Sequence, residues 1–348
     1  MPSSPLAGLP KVLLHDHLDG GVRASTVVEL AGKAGYDDLP STDPEELLGW
    51  FVQEGASSLE SYLEAFKHTF GVMQDAESLH RVAYEAAEDL AADGVVYAES
   101  RFAPSLHLGR GLTREEAIEA VVAGFEEGRK DFGIPIGVIV DAMRQHSDSV
   151  EVAEAAVAFA DRGVVAFDLA GPEEGYPASD YVEACRVATR GGLRLTIHAG
   201  EGPPGSGAGL DSIREAIECG AERIGHGLRL IDDVTPSSGD LGEVATIVRD
   251  RKIALEQCPT SNIHIKAVAG PADHPIGDLY RVGIPITVNT DNRLMSGVSL
   301  SDEFQLLIDH QGFELDDLKN ITLNALDAAF CSDGLKVGLR EKIQQGFA

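Results

Sequence analysis

Apolar residues fall in short, nearly unbroken runs, and the stretches between the runs carry apolar positions every three or four residues. The runs are "KVLLHDHL", "GVVYAESRFAP", "GIPIGVIVDAMR", "GVVAFDLAG", "LRLTIHAGE", "ERIGHG", "KIALEQCP" and "IPITVNTDN". Such runs predict strands covered on both faces, as in parallel sheets. "ERIGHG" is the shortest. Segments such as "DAESLHRVAYEAAEDLAADG" and "TREEAIEAVVAGFEEGRKDFG" predict helices, with acids near their starts and glycine after their ends. Repeated strand-then-helix units predict a (β/α)8 TIM barrel, one domain spanning 1–348. A doubly wound sheet is the weaker alternative, because this many units suffices to close a barrel. One gap is unusually long, approximately 22–93, and holds the only tryptophan, Trp50. It predicts a helical insertion after the first strand, over the barrel mouth. "GEGPPGSGAG" lacks the Lys-Ser/Thr of a phosphate loop and is expected to be a mobile loop.

The polar interruptions of these runs are more informative than the runs. In this architecture, reactive groups gather at the C-terminal ends of the strands. Here those ends carry His15 and His17, Glu99 and Arg101, Asp141 and Arg144, Asp168, His198 and Glu201, His226, Cys258, and Asp291. In "LLHDH" the histidines project to the same side of a strand, with Cα atoms about 7 Å apart. His15, His17 and His198 offer neutral imidazoles and Asp291 a carboxylate. Three nitrogens and one oxygen suit one Zn²⁺ with a position open to water. Such an ion lowers the pKa of that water toward neutrality. His226 is placed to accept a proton from it. Glu201 could hold a proton over a substrate if burial raises its pKa.

Composition narrows the ligand. With 43% hydrophobic residues, the 348-residue chain can build a packed core. Its formal charge of −29 repels phosphate backbones and anionic membranes, which argues against nucleic acid or membrane as partner. A neutral small molecule is not excluded, and no protein partner is inferable. Cys185, Cys219, Cys258 and Cys331 form no CxxC pair, so reduced thiols and a cytoplasmic location are expected. "MPSSPLAGLPKVLLHDHL" lacks the basic-then-apolar pattern of a signal peptide.

The motifs "LHDHLDGG", "VYAESRFAP", "VVAFDLAG", "TIHAGE", "RIGHG", "CPTSN" with the later "HPI", and "TVNTDN" together resemble those of adenosine deaminases of the metal-dependent amidohydrolase group. The resemblance extends over essentially the whole chain. It implies hydrolytic deamination of adenosine or 2′-deoxyadenosine to inosine or deoxyinosine and ammonia, in purine salvage. By the same resemblance, His15, His17, His198 and Asp291 are the zinc ligands, with His17 also near the substrate. Glu201 is the proton donor to purine N1. His226 orients and deprotonates the water, which Asp291 also touches. Gly171 is the backbone donor to purine N3, and Asp19 contacts a ribose hydroxyl. Many relatives carry two acids after "NT", whereas this chain has Asp291-Asn292. An amide can donate to purine N7 while neutral, which a carboxylate cannot.

Deamination of adenine or another 6-aminopurine is the principal alternative, with the same metal chemistry. A binuclear amide or phosphoester hydrolase would want a lysine at the fourth strand, where Asp168 stands. A non-catalytic nucleoside-binding relative would be expected to lack a ligand or Glu201, and all are present. The H-x-E with P-C-x-x-C cluster of nucleic-acid-editing zinc deaminases is missing.

Overall fold

A computed structural model describes residues 6–52 and 65–348. Strands β1 (Lys11–His17), β2 (Val95–Phe102), β3 (Ile136–Met143), β4 (Val164–Ala170), β5 (Arg194–Ala199), β6 (Arg223–His226), β7 (Ala254–Gln257) and β8 (Ile286–Val288) pair in chain order, all parallel. Each matches one of the apolar runs, and helices join them on the outside. This is the (β/α)8 barrel expected from the pattern. A short antiparallel hairpin, Val234–Thr235 with Asp240–Leu241, stands apart from the barrel.

Closure between β8 and β1 is made mostly by residues beyond the regular strand. His17 N–H donates to Asp291 O at 2.7 Å, and Asp291 N–H donates to His15 O at 3.0 Å. Below this pair, Asn289 Oδ1 accepts from the backbone of Leu14 (2.9 Å) and His15 (3.1 Å). One side-chain oxygen thus satisfies two buried backbone donors that a longer β8 would have paired. The seam also fixes where His15, His17 and Asp291 stand relative to one another.

The barrel interior is not wholly apolar. Alternation along β2 turns Tyr97, Glu99 and Arg101 to one side, and Arg223 and Glu256 meet them there. Arg223 joins Glu99 Oε2 and Glu256 Oε1, each at 2.6 Å. Arg101 joins Glu256 Oε2 at 2.7 Å and Asp168 Oδ2 at 2.6 Å. All five charged side chains are buried. Pairing of this completeness is what allows charge in an interior, because an unpaired buried ion costs several kcal/mol. Below the network, helix Asp333–Gly346 covers the lower end with Leu339 and Ile343 against Val12, Leu14 and Val96.

Helices α1 (Ala24–Ala34), α2 (Pro44–Phe51), α3 (Phe66–Val72) and α4 (Ala76–Ala92) lie between β1 and β2. Part of the expected insertion, residues 53–64, lies outside the described residues. α4 packs against helix Arg114–Phe132 and β2, as a regular outer-ring helix does. We therefore propose that the insertion is the segment before Ala76, not the whole of 22–93. The glycine-rich stretch after Glu201 runs as turns and bends into helix Leu210–Glu218.

Candidate active site

Four ligand atoms converge above the seam. Asp291 Oδ1 lies 3.3 Å from His15 Nε2 and 3.4 Å from His17 Nε2, and His17 Nε2 lies 3.3 Å from His198 Nε2. A tetrahedron with legs of about 2.0–2.1 Å has edges of roughly 3.3–3.4 Å. Three edges of the cluster therefore have the length expected around a four-ligand zinc, and all four ligand atoms lie within 4.8 Å of one another. His15 Nε2 is buried and has no hydrogen-bond partner, as an atom reserved for coordination would be.

The opposite ring nitrogens face carboxylates. His15 Nδ1 is 2.8 Å from Glu256 Oε2, His198 Nδ1 is 2.8 Å from Asp168 Oδ2, and His17 Nδ1 is 3.5 Å from Asp141 Oδ2. At His15 and His198 the carboxylate draws the ring proton to Nδ1 and leaves the Nε2 lone pair free for a metal. Ser261 Oγ donates to Asp291 Oδ2 at 2.5 Å, fixing the carboxylate so that Oδ1 faces the histidines. A second group, His15, His226, Cys258 and Asp291, also brings its ligand atoms together. Its thiol is a poor ligand as it stands. Burial pushes the Cys258 thiol well above its usual range, and Sγ donates to Glu256 O at 3.4 Å.

Two local backbone features set this geometry. His226 and Asp291 both hold left-handed conformations, each with φ near 58°. Non-glycine residues are uncommon there, and such positions recur at functional sites. Gly225 in "RIGHG" has a different job. A Cβ there would stand 3.0 Å from His198 Cα and 3.2 Å from His15 Cε1, so glycine is what lets these residues pack together.

A cavity of about 170 Å³ opens beside the cluster. His17, Asp19, Gly171, His198, Glu201, His226, Asp291 and Asn292 line it, with an apolar wall that includes Phe66, Phe70, Leu106 and Met143. Every site residue expected from the sequence except His15 faces this space, and His15 lies behind it, wholly buried. The family model described as adenosine deaminase matches residues 10–346. The chain is 52% identical to an adenosine deaminase of Mycobacterium ulcerans, covering 92% of this chain and 90% of that protein.

The chain belongs to the adenosine deaminase family.

Among solved structures it resembles an adenine deaminase of Arthrobacter aurescens, with a TM-score of 0.86 at 27% identity over 97% of this chain and 98% of that one. A zinc-bound amidohydrolase from Burkholderia ambifaria superposes with a TM-score of 0.85 at 27% identity, covering 98% of this chain and 91% of its own. Membership in this enzyme family gives the polar pocket its context. Glu201 stands 3.5 Å from His226 Nε2. Burial, reinforced by the charges of Asp291 and Glu173, raises the Glu201 carboxyl well above its usual range. Asp141 is raised likewise, first by burial and then by the nearby Asp168 charge. Asn292 keeps a buried Oδ1 without a hydrogen-bond partner. A Cβ on Gly20 would meet that oxygen at 2.2 Å, which accounts for a glycine after Asp19 in "HLDGG".

Some residues placed at strand ends by the sequence pattern do other work. Glu99 lies mid-strand in the lower barrel, where it accepts from Arg223 and from Tyr97. Arg101 is bound below the cluster, and Arg144 donates to His198 O at 2.7 Å. None of these three lines the pocket. Conversely, two supporting carboxylates went unmarked in the sequence. Glu256 sits inside the strand "KIALEQCP", where strand alternation would have turned it inward beside His15. Glu173 follows the fourth strand and accepts from the backbone of Gly200 (2.8 Å) and Glu201 (3.0 Å), bracing the "HAGE" turn. Among the described residues, no helix is long and apolar enough to cross a membrane.

Proposed function

We propose that this protein converts adenosine and 2′-deoxyadenosine, with water, to inosine and deoxyinosine and ammonia. The observation that carries the reading is Glu201, a buried carboxyl with a raised pKa beside a four-ligand cluster. An aromatic amine is a poor leaving group, and attack at C6 breaks ring aromaticity. A proton given to purine N1 relieves both difficulties, because it takes up the charge that develops as oxygen adds to C6. Glu201, whose carboxyl burial holds above its usual range, is the group placed to give that proton. His15, His17, His198 and Asp291 would hold one Zn²⁺. Bound there, the ion would supply Lewis acidity that brings a water's pKa toward 7.

The remaining pocket residues orient the purine. Gly171, with φ near 90°, would offer its backbone N–H to N3, and Asp19 would take a ribose hydroxyl. Phe66 and Phe70 would cover the apolar faces. The fold shared with an adenine deaminase keeps the free base as the competing substrate. Ammonia release from adenosine, 2′-deoxyadenosine, adenine and AMP tests the choice. The two nucleosides should turn over fastest. A preference for adenine would overturn the assignment of Asp19 to the ribose.

Asn292 would donate its amide to N7. Removing such a contact costs roughly 0.5–1.5 kcal/mol for the bond and about 1–3 where a buried partner is left unpaired. Asn292→Ala should therefore lower kcat/KM for adenosine roughly 5- to 100-fold. The loss should be much smaller with 7-deazaadenosine, which has no N7 acceptor. Equal losses on both substrates would instead make Asn292 a support of the loop.

A further inference from the structure

The "CPTSN" and "HPI" segments reach the pocket from behind, through a chain of buried hydrogen bonds that ends on His226. Ile276 N–H donates to His274 Nδ1 at 3.2 Å. His274 Nε2 lies 3.2 Å from Asn262 Oδ1, and Asn262 Nδ2 lies 3.2 Å from His226 Nδ1. His226, Asn262 and His274 are all buried. We infer that His274 and Asn262 hold His226 in the neutral tautomer with its proton on Nε2, so that this ring meets the pocket as a hydrogen-bond donor.

One group in this chain of hydrogen bonds has a fixed polarity. A backbone N–H can only donate, so His274 Nδ1 must accept and its ring proton must sit on Nε2. Burial lowers the His274 pKa to about 3, so the ring carries a single proton. His274 Nε2–H then requires an acceptor, which orients the Asn262 amide with Oδ1 toward His274. The amide nitrogen is left facing His226 Nδ1, and an N–H there demands a lone pair. The proton of neutral His226 therefore sits on Nε2, which faces Glu201 Oε1 at 3.5 Å.

The histidines of the ligand cluster contrast with His226. His15 and His198 have carboxylates at Nδ1 and offer Nε2 lone pairs to the centre, where His17 Nε2 also stands. His226 has an amide donor at Nδ1 and offers Nε2–H. It is thereby unsuited to coordinate a metal through Nε2, which removes the His15–His226–Cys258–Asp291 group as a competing metal set. The assignment keeps the orienting part of the role expected for His226 from the sequence and replaces the proton-accepting part. Nε2 has no lone pair with which to accept a proton in the resting tautomer. It is suited instead to hold an oxygen in line with C6 by donating to it. Asn262 and His274 are then positioning residues. This consequence for turnover rests on the deaminase reading, whereas the tautomer does not.

The test is ¹⁵N NMR of the zinc-loaded protein labelled in histidine. The His226 signals are assigned by their loss in His226→Asn, a residue that tolerates the left-handed backbone of this position. In the wild type, Nε2 should report a bonded proton and Nδ1 a lone pair. Asn262→Asp places a carboxylate at Nδ1 and should exchange the two. It should also lower kcat by about 10- to 100-fold, the usual cost of disturbing a supporting hydrogen bond. Bound zinc and KM should stay within about twofold on that scale. A wild-type Nδ1 that carries the proton overturns the inference without recourse to any variant at Asn262. An exchanged tautomer with unchanged kcat overturns the donor role of His226. A confirmed tautomer in a protein that releases no ammonia from purines leaves the assignment standing and removes the deaminase reading.

Discussion

Glu201→Gln will lower kcat for adenosine by about 10²- to 10⁴-fold, the range usual for general acid–base groups. Glutamine preserves the length and shape of the side chain but has no proton to transfer. It can still donate an N–H to purine N1, so KM should change far less than kcat. That split separates proton transfer from binding, because loss of an interaction made only on the way to the transition state appears in kcat. The variant should also fold normally. Glu201 contributes its backbone N–H to Glu173, not its carboxyl, so the brace on the turn is retained. Removing a buried carboxyl that burial disfavours in its charged form should be neutral or mildly stabilising. Bound metal, measured by elemental analysis, should match the wild type. Turnover within about threefold of the wild type would fall outside the range for an acid catalyst and would remove Glu201 from that role.

The barrel was legible because its strands are covered on both faces and so read as apolar runs of strand length. The ends of those runs were legible for a related reason. Packing alone gives no cause for a histidine or carboxylate at nearly every strand end, so their recurrence marks a shared mouth. The interior network was harder to see. Glu99, Arg101, Arg223 and Glu256 lie within strands that look continuous, and a charge within such a run can be read as a strand boundary. Their pairing is set by neighbours far apart in sequence, such as Arg101 with Glu256. Glu173 was hidden by its loop, where acids are ordinarily solvated. The orientation of His226 was beyond any sequence reading, because it depends on which atom of Asn262 faces it. The closing seam was partly visible. "TVNTDN" showed Asp291 as a candidate ligand, but not that Asn289 takes the place of a longer strand.

Metal removal should have an effect of at least comparable size. A chelator strong enough to strip the site is expected to lower turnover by more than about 10³-fold, since a water there is no longer acidified toward neutrality. Glu201 can still protonate N1, but it does not replace that acidity. Added zinc should restore activity, because His15 and His198 are held in the ligand tautomer by Glu256 and Asp168. None of these supporting contacts includes the metal. The stripped protein should therefore remain folded but melt at a lower temperature. Binding to the folded state alone adds about 2.7 kcal/mol when free metal is 100 times Kd. For a chain of 348 residues, with an unfolding entropy of about 2.1 cal/mol/K per residue, that corresponds to a shift of roughly 3–4 °C. Calorimetry with and without chelator, alongside metal analysis, reads both effects on one sample. Full activity in a protein shown to hold no metal would exclude the four-ligand cluster from the reaction. A melting temperature indifferent to zinc would show that the cluster does not bind it.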